Sequence, residues 1–154
     1  MAPEKEESVQ VREIMTKGVV YLDASKTVED ASKLMNEKNV GCVVIMENLI
    51  VAGIVTERDL VRRVLALNKP SSTKIKEVMT SPIVVINPDE SISELAQLMR
   101  DRKIHKVPVI SAPEKNESQL VGIVTDTDLI CYSSRGSTSK MTEVIDQICL
   151  RKAN

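Results

Sequence analysis

The chain is a repeat, and that limits its fold more than any other feature. Residues 11–46 (VREIMTKGVVYLDASKTVEDASKLMNEKNVGCVVIM) align without gaps on residues 75–110 (IKEVMTSPIVVINPDESISELAQLMRDRKIHKVPVI), at an offset of 64 positions. After a five-residue insertion in the second copy, VAGIVTERDL (51–60) aligns on LVGIVTDTDL (120–129). Glu13/Glu77, Met15/Met79, Thr16/Thr80, Leu34/Leu98 and Met35/Met99 are identical in the first block, as are Gly53/Gly122, Thr56/Thr125 and Asp59/Asp128 in the second. Two copies are too few for a solenoid or a propeller, which need three or more units. Two copies packed face to face about a pseudo-twofold axis remain.

Each copy carries the same periodicities. VVYL and IVVI are short β-branched runs and read as first strands. Val28, Ala31, Leu34 and Met35 share one helical face, and Ile92, Leu95, Leu98 and Met99 share its counterpart. Ser91 with Glu94 is a capping box, and Thr27 with Asp30 a lesser one. VGCVVIM and IVAGIVT, then VPVI and LVGIVT, suit buried strands, with SAPEKNESQ as an exposed hairpin loop in the second copy. TERDLVRRVLALN and TDTDLICYSS begin the closing helices. The fold class is α/β, two pseudo-twofold-related β-α-β-β-α repeats: the first over 9–68, a linker over 69–74, the second over 75–132. A tail follows over 133–154, where Val144, Ile145 and Ile148 suit a short amphipathic helix.

Composition removes several function classes. Lys plus Arg number 21 and Asp plus Glu 22, a net charge of −1, so nucleic-acid binding through a broad basic field is disfavoured. Phe and Trp are absent and the two tyrosines are Tyr21 and Tyr132, which leaves no aromatic platform for single-stranded nucleic acid. A planar ligand has to be gripped by aliphatic side chains and backbone. No apolar run approaches the roughly 20 residues that span a bilayer, and MAPEKEESVQ is too polar for a signal peptide, so a cytoplasmic place is expected. Cys42, Cys131 and Cys149 form no C-x-x-C pair and the one histidine is His105, so free thiols are expected and no metal site.

The residues with chemistry to offer stand at GIVTERD (53–59) and GIVTDTD (122–128), where a strand meets a helix. Thr-x-x-Asp there is either a cap that satisfies the helix's own donors or an anchor for a sugar hydroxyl or phosphate. Arg58 reads as a phosphate contact or a solvated side chain, Arg62 and Arg63 as a solvated face, and the methionines at 15, 35, 79 and 99 as core. No G-x-x-x-x-G-K-[ST], G-x-G-x-x-G, H-E-x-x-H or G-x-S-x-G is present, and one histidine leaves no nucleophile–base pair, so no enzyme activity is expected.

Twin copies of M-T-x-x-h-x-h-h (h, apolar), an amphipathic helix, a short hairpin and G-h-h-T-x-x-D resemble the cystathionine-β-synthase (CBS) domain family in its tandem-pair form, across residues 9–132. RKIHKVPVI, with Pro108, resembles that family's second-strand motif; the first copy departs from it with Val44. The resemblance implies regulatory binding of an adenosyl ligand (AMP, ADP or ATP before S-adenosylmethionine or NAD) in two clefts, each drawing on both copies. One cleft would use His105, Lys106, Ile123, Thr125 and Asp128, closed by Thr16, Gly18 and Val20. The other would use Ile54, Thr56, Arg58 and Asp59, closed by Thr80, Pro82 and Val84 and flanked by Ile104. The aspartates would hold ribose, the threonines phosphate or ribose oxygens, and the aliphatic residues adenine. His105 alone beside a strand reads as a structural residue; next to Lys106 it resembles a family phosphate contact. The resemblance further implies a homodimer that signals to an unknown effector protein. The alternative is a structural interaction module with empty clefts.

Overall fold

Four helices begin on the same device, a threonine or serine in extended backbone followed three residues later by an acid. The computed structural model describes residues 9–111 and 119–135. In chain order these hold α1 (Val11–Ile14), β1 (Tyr21–Asp23), α2 (Val28–Lys38), β2 (Cys42–Glu47), β3 (Ile50–Thr56), α3 (Glu57–Arg63), α4 (Ile92–Arg102), β4 (Lys106–Ser111), β5 (Gln119–Thr125) and α5 (Asp126–Ser134). Single 3₁₀ turns cover Leu65–Leu67 and Ile75–Glu77. Thr27, Thr56, Ser91 and Thr125 cap α2, α3, α4 and α5 with complete reciprocal boxes. Thr27 is therefore no lesser case: Asp30 Oδ2 accepts its N–H at 2.9 Å, and its hydroxyl accepts from Asp30 N–H at 3.2 Å.

These residues fall into two compact units, one built on 18–84 and the other on 9–17, 85–111 and 121–135. The repeats of the sequence and the units of the fold are thus different sets, because the leading segment of each repeat packs with the other repeat.

In the unit 18–84, β1 runs parallel to β2 and β2 antiparallel to β3. Val28, Ala31 and Met35 of α2 bury against Val43, Ile45 and Val55, and Ile75 and Val78 complete the cluster. The β2–β3 turn is made by Asn48 and Leu49, both at positive φ. The helix expected from TERDLVRRVLALN is shorter than its pattern: α3 stops at Arg63, and a 3₁₀ turn follows, ended by left-handed Asn68.

In the second unit, Leu95 and Met99 of α4 bury against Val107, Val109 and Val124, and Val11 and Ile86 join them. β4 and β5 form a two-stranded sheet. IVVI (83–86) does not form the expected strand; one parallel bridge, Ile86 with Val109, stands in its place. Pro108 explains the difference. In the first copy Val44 N–H donates to Val20 C=O at 3.1 Å and β1 forms beside it. The corresponding donor would be the nitrogen of Pro108, which has no hydrogen.

Cys131 is disulfide-bonded, against the expectation of free thiols; the lack of a C-x-x-C spacing does not limit pairing between distant cysteines. Cys42 is a half-buried thiol at the head of β2. The 112–118 part of the expected hairpin loop and the tail helix around Val144, Ile145 and Ile148 lie outside the described residues. Among the described residues, no helix is long and apolar enough to cross a membrane.

Candidate functional site

A β-strand that ends in Thr-x-x-Asp delivers a hydroxyl and a carboxylate to one place. In the unit 18–84, Asp59 Oδ2 accepts from the Thr56 N–H at 2.9 Å and from its hydroxyl at 3.0 Å. Thr56 Oγ1 accepts in return from Asp59 N–H at 3.2 Å. Of the two readings open for this motif, capping is thus realised, and it occupies one carboxylate oxygen. An ionised carboxylate has about four lone-pair sites, so accepting capacity remains for a diol.

The leading segment of the second repeat runs beside this anchor. Ile54 N–H donates to Thr80 C=O at 3.2 Å and Thr80 N–H returns to Ile54 C=O at 2.9 Å. That pairing is possible because Gly53 has no side chain: a Cβ there would stand 2.7 Å from the Met79 sulfur and 2.8 Å from the Thr80 oxygen. Ile54, Thr56, Arg58, Asp59, Thr80, Pro82 and Val84 all belong to this unit, Ile104 to the other. Arg58 is exposed, and Pro82 follows a cis peptide bond.

The second unit repeats the arrangement. Asp128 Oδ2 accepts from Thr125 N–H at 2.8 Å and from its hydroxyl at 3.0 Å. Thr16 N–H donates to Ile123 C=O at 2.8 Å, Ile123 N–H to Thr16 C=O at 3.0 Å, and Gly122 seats Met15. Thr16, His105, Lys106, Ile123, Thr125 and Asp128 belong to this unit, whereas Gly18 and Val20 belong to the other. The His105 ring Nδ1 lies 2.9 Å from Asp126 Oδ2, and Asp126 N–H donates to the His105 carbonyl at 3.0 Å. Lys106 is half-buried at the head of β4.

Arg63, expected on a solvated face, is 43% exposed but is also held by two partners. It donates to the Val78 carbonyl at 2.8 Å and lies 3.5 Å from Asp59 Oδ1. The signal was available in the sequence: Asp59 and Arg63 are four apart on a helix, which puts them on one side. Arg62 is exposed as expected. Among the described residues, no three histidine, cysteine or acidic side chains gather as a metal site would require.

The CBS domain model matches twice, over residues 11–66 and 75–135. The chain belongs to the CBS domain family. A CBS domain-containing protein of Bacillus subtilis, YhcV, is 30% identical over 139 residues, which cover 89% of this chain and 96% of the relative. Among solved structures, the CBS domain pair of protein MJ0100, in complex with 5′-methylthioadenosine and S-adenosyl-L-methionine, superposes with a TM-score of 0.74 at 25% identity, covering 84% of this chain and 99% of that one. A hexameric CBS-CP12 protein from bloom-forming cyanobacteria matches at 0.69 and 34% identity, over 79% and 69% of the two chains. The duplicated M-T and G-h-h-T-x-x-D segments of this CBS pair are therefore the two sides of one contact, made once in each unit.

Proposed function

We propose that this CBS pair is a regulatory module that binds an adenosyl nucleotide, AMP, ADP or ATP, at the two Thr-x-x-Asp anchors and passes its state to a partner protein. One observation carries the proposal: in each unit a capped Thr–Asp pair stands beside a strand paired to a threonine from the other repeat, Thr56 and Asp59 with Thr80, Thr125 and Asp128 with Thr16. The adenosyl ligands of the MJ0100 pair support the ligand class. Asp59 and Asp128 would accept a ribose diol on the oxygen that capping leaves over. Arg58 in one unit and Lys106, with His105, in the other would face phosphate. No catalytic role is assigned to any residue.

A homodimer belongs to the same proposal. Val61 and Ile130 occupy equivalent places on α3 and α5 and are 55% and 50% exposed, an apolar position repeated on both closing helices. A cytoplasmic place also belongs to it.

Calorimetric titration of the full chain with AMP, ADP, ATP, S-adenosylmethionine and NAD tests the ligand. Binding of one or more of the adenine nucleotides, with a raised Tm, is the expected result, since a ligand that binds only the folded state stabilises it. No heat and no Tm change with any of the five would leave the module as a structural one with empty clefts.

A further inference from the structure

Arg63 touches both sides of the anchor in the unit 18–84. The carboxylate of Asp59 is buried to 16% exposure and keeps Oδ1 for whatever lies beyond its cap. Arg63 Nη2 stands 3.5 Å from that oxygen. Its Nη1 donates at 2.8 Å to the carbonyl of Val78, a fully buried residue just past the 3₁₀ turn Ile75–Glu77, where carbonyl groups lack partners within the turn. Val78 is followed at once by Met79, seated on Gly53, and by Thr80, paired with Ile54. A planar guanidinium with fixed donors can hold two acceptors at a set separation, which a flexible ammonium cannot. The second unit is built without this brace: Tyr132 stands where Arg63 would be and Ile14 where Val78 would be.

We infer that Arg63 is the positioning residue of the Asp59 anchor, fixing the carboxylate of α3 against the Val78–Thr80 segment, and that the Asp128 anchor works without such a brace. This rests on the binding proposed above and deepens it, but the brace also has a consequence without ligand. Freed from Arg63, the Val78–Thr80 segment loses one of its ties to the strand end, so the amides of Thr80 and Ile54 open more often, while those of Thr16 and Ile123 do not.

The test uses the full chain and two variants, Arg63→Gln and Arg63→Lys. Amide hydrogen exchange without ligand is expected to rise about tenfold at Thr80 and Ile54 in Arg63→Gln, which is the loss of one charge-assisted hydrogen bond, with Thr16 and Ile123 unchanged. Arg63→Lys, which reaches one acceptor but not both, is expected to fall between. AMP titration in an Asp128→Asn background then isolates the Asp59 anchor, where Arg63→Gln is expected to weaken binding by about tenfold. Unchanged exchange at Thr80 and Ile54 in a folded Arg63→Gln protein overturns the inference, as does an equal rise at all four amides, which means general destabilisation. Wild-type protein that binds no AMP defeats the proposed ligand alone, and the exchange result still decides the role of Arg63.

Discussion

Gly53 is the seat of Met79: a Cβ on the glycine would lie 2.7 Å from the methionine sulfur, closer than real side chains pack. The same relationship holds Met15 on Gly122, at 2.6 Å. Each glycine belongs to one sequence repeat and each methionine to the other, so the M-T segment and the strand glycine are read separately in the sequence but form one contact in the fold.

The two seats differ in what surrounds the missing Cβ, and substitution should separate them. At Gly53 the Thr80 carbonyl stands at 2.8 Å, backbone that is itself paired to Ile54; at Gly122 the Thr16 carbonyl stands at 3.1 Å. Gly53→Ala is expected to cost about 1–3 kcal/mol, the usual range for overpacking, and Gly122→Ala less. Met15→Ala should rescue part of the loss in Gly122→Ala, whereas Met79→Ala should rescue little in Gly53→Ala. Urea denaturation of the single and double variants measures this, and equal losses at the two glycines would contradict it.

Asp128 has two roles in this picture, and two substitutions pull them apart. Asp128→Ala removes the acceptor that Thr125 uses, at a cost of about 1 kcal/mol in stability, together with any ribose contact. Asp128→Asn keeps an oxygen for Thr125 and removes the charge. Stability is therefore expected closer to wild type in the Asn variant, with nucleotide affinity at that anchor reduced about tenfold. Thermal unfolding paired with AMP titration reads both. Full affinity in a well-folded Asn variant would remove Asp128 from the site.

How much of this was legible in the sequence varies residue by residue. Helices α2 and α4 and strands β2 to β5 follow directly from periodicity, because faces such as Val28, Ala31 and Met35 can only be buried in one way; α1 and the early end of α3 do not. The Val44/Pro108 difference was visible too, but its consequence required knowing which carbonyl would seek that N–H. Arg63 was read as solvated because a charge on a helix usually is; its second partner, the Val78 carbonyl, lies 15 residues away and leaves no spacing signal. The crosswise packing of Met15 and Met79 was hidden for a related reason, since similarity shows which segments are alike and not which ones touch.

Exchanging the residues at the Val44/Pro108 pair should move a strand. Val44→Pro deletes the donor to Val20 C=O and is expected to destabilise the unit 18–84 by about 3 kcal/mol, while loosening Tyr21–Asp23 from β2. Pro108→Val restores a backbone donor on β4 and should slow exchange at Ile86, whose N–H donates to the carbonyl of residue 108 at 3.1 Å. Hydrogen exchange resolves both outcomes, and an unaltered pattern at Tyr21–Asp23 in Val44→Pro would refute the account of the missing strand.

Acid should weaken the α2 cap in a predictable window. Hydrogen bonds to Asp30 from the Thr27 N–H and then its hydroxyl hold the carboxyl below its ordinary value of 3.8. A depressed folded-state value means that the contribution is complete above 3.8 and is lost as pH falls through the lower, folded-state value. Asp30→Asn has no such charge to lose. Its Tm should therefore fall less than that of the wild type between pH 5 and the region below pH 3, and parallel curves for the two proteins would show that the cap does not titrate.

The two anchors are expected to bind unequally, because the cations proposed to face phosphate differ between them. The Asp59 anchor has the exposed Arg58 on its helix, where the second unit has Thr127. The Asp128 anchor has Lys106 and His105, where the first has Cys42 and Gly41. His105 does not add simply to that charge, since its ring faces the Asp126 carboxylate at 2.9 Å. Lys106, half-buried on a strand, has less freedom to lose on meeting phosphate than Arg58 on a solvated helix. The Asp128 anchor is thus expected to be the tighter, with affinity for the more highly charged ATP falling faster with salt than that for AMP at both. Titrating Asp59→Asn and Asp128→Asn with AMP and ATP at low and high ionic strength isolates each anchor in turn. The Asp59→Asn protein, which keeps the Asp128 anchor, should bind more tightly than Asp128→Asn. Equal affinities in the two variants would mean that the shared Thr–Asp geometry alone sets the binding and the flanking cations contribute nothing.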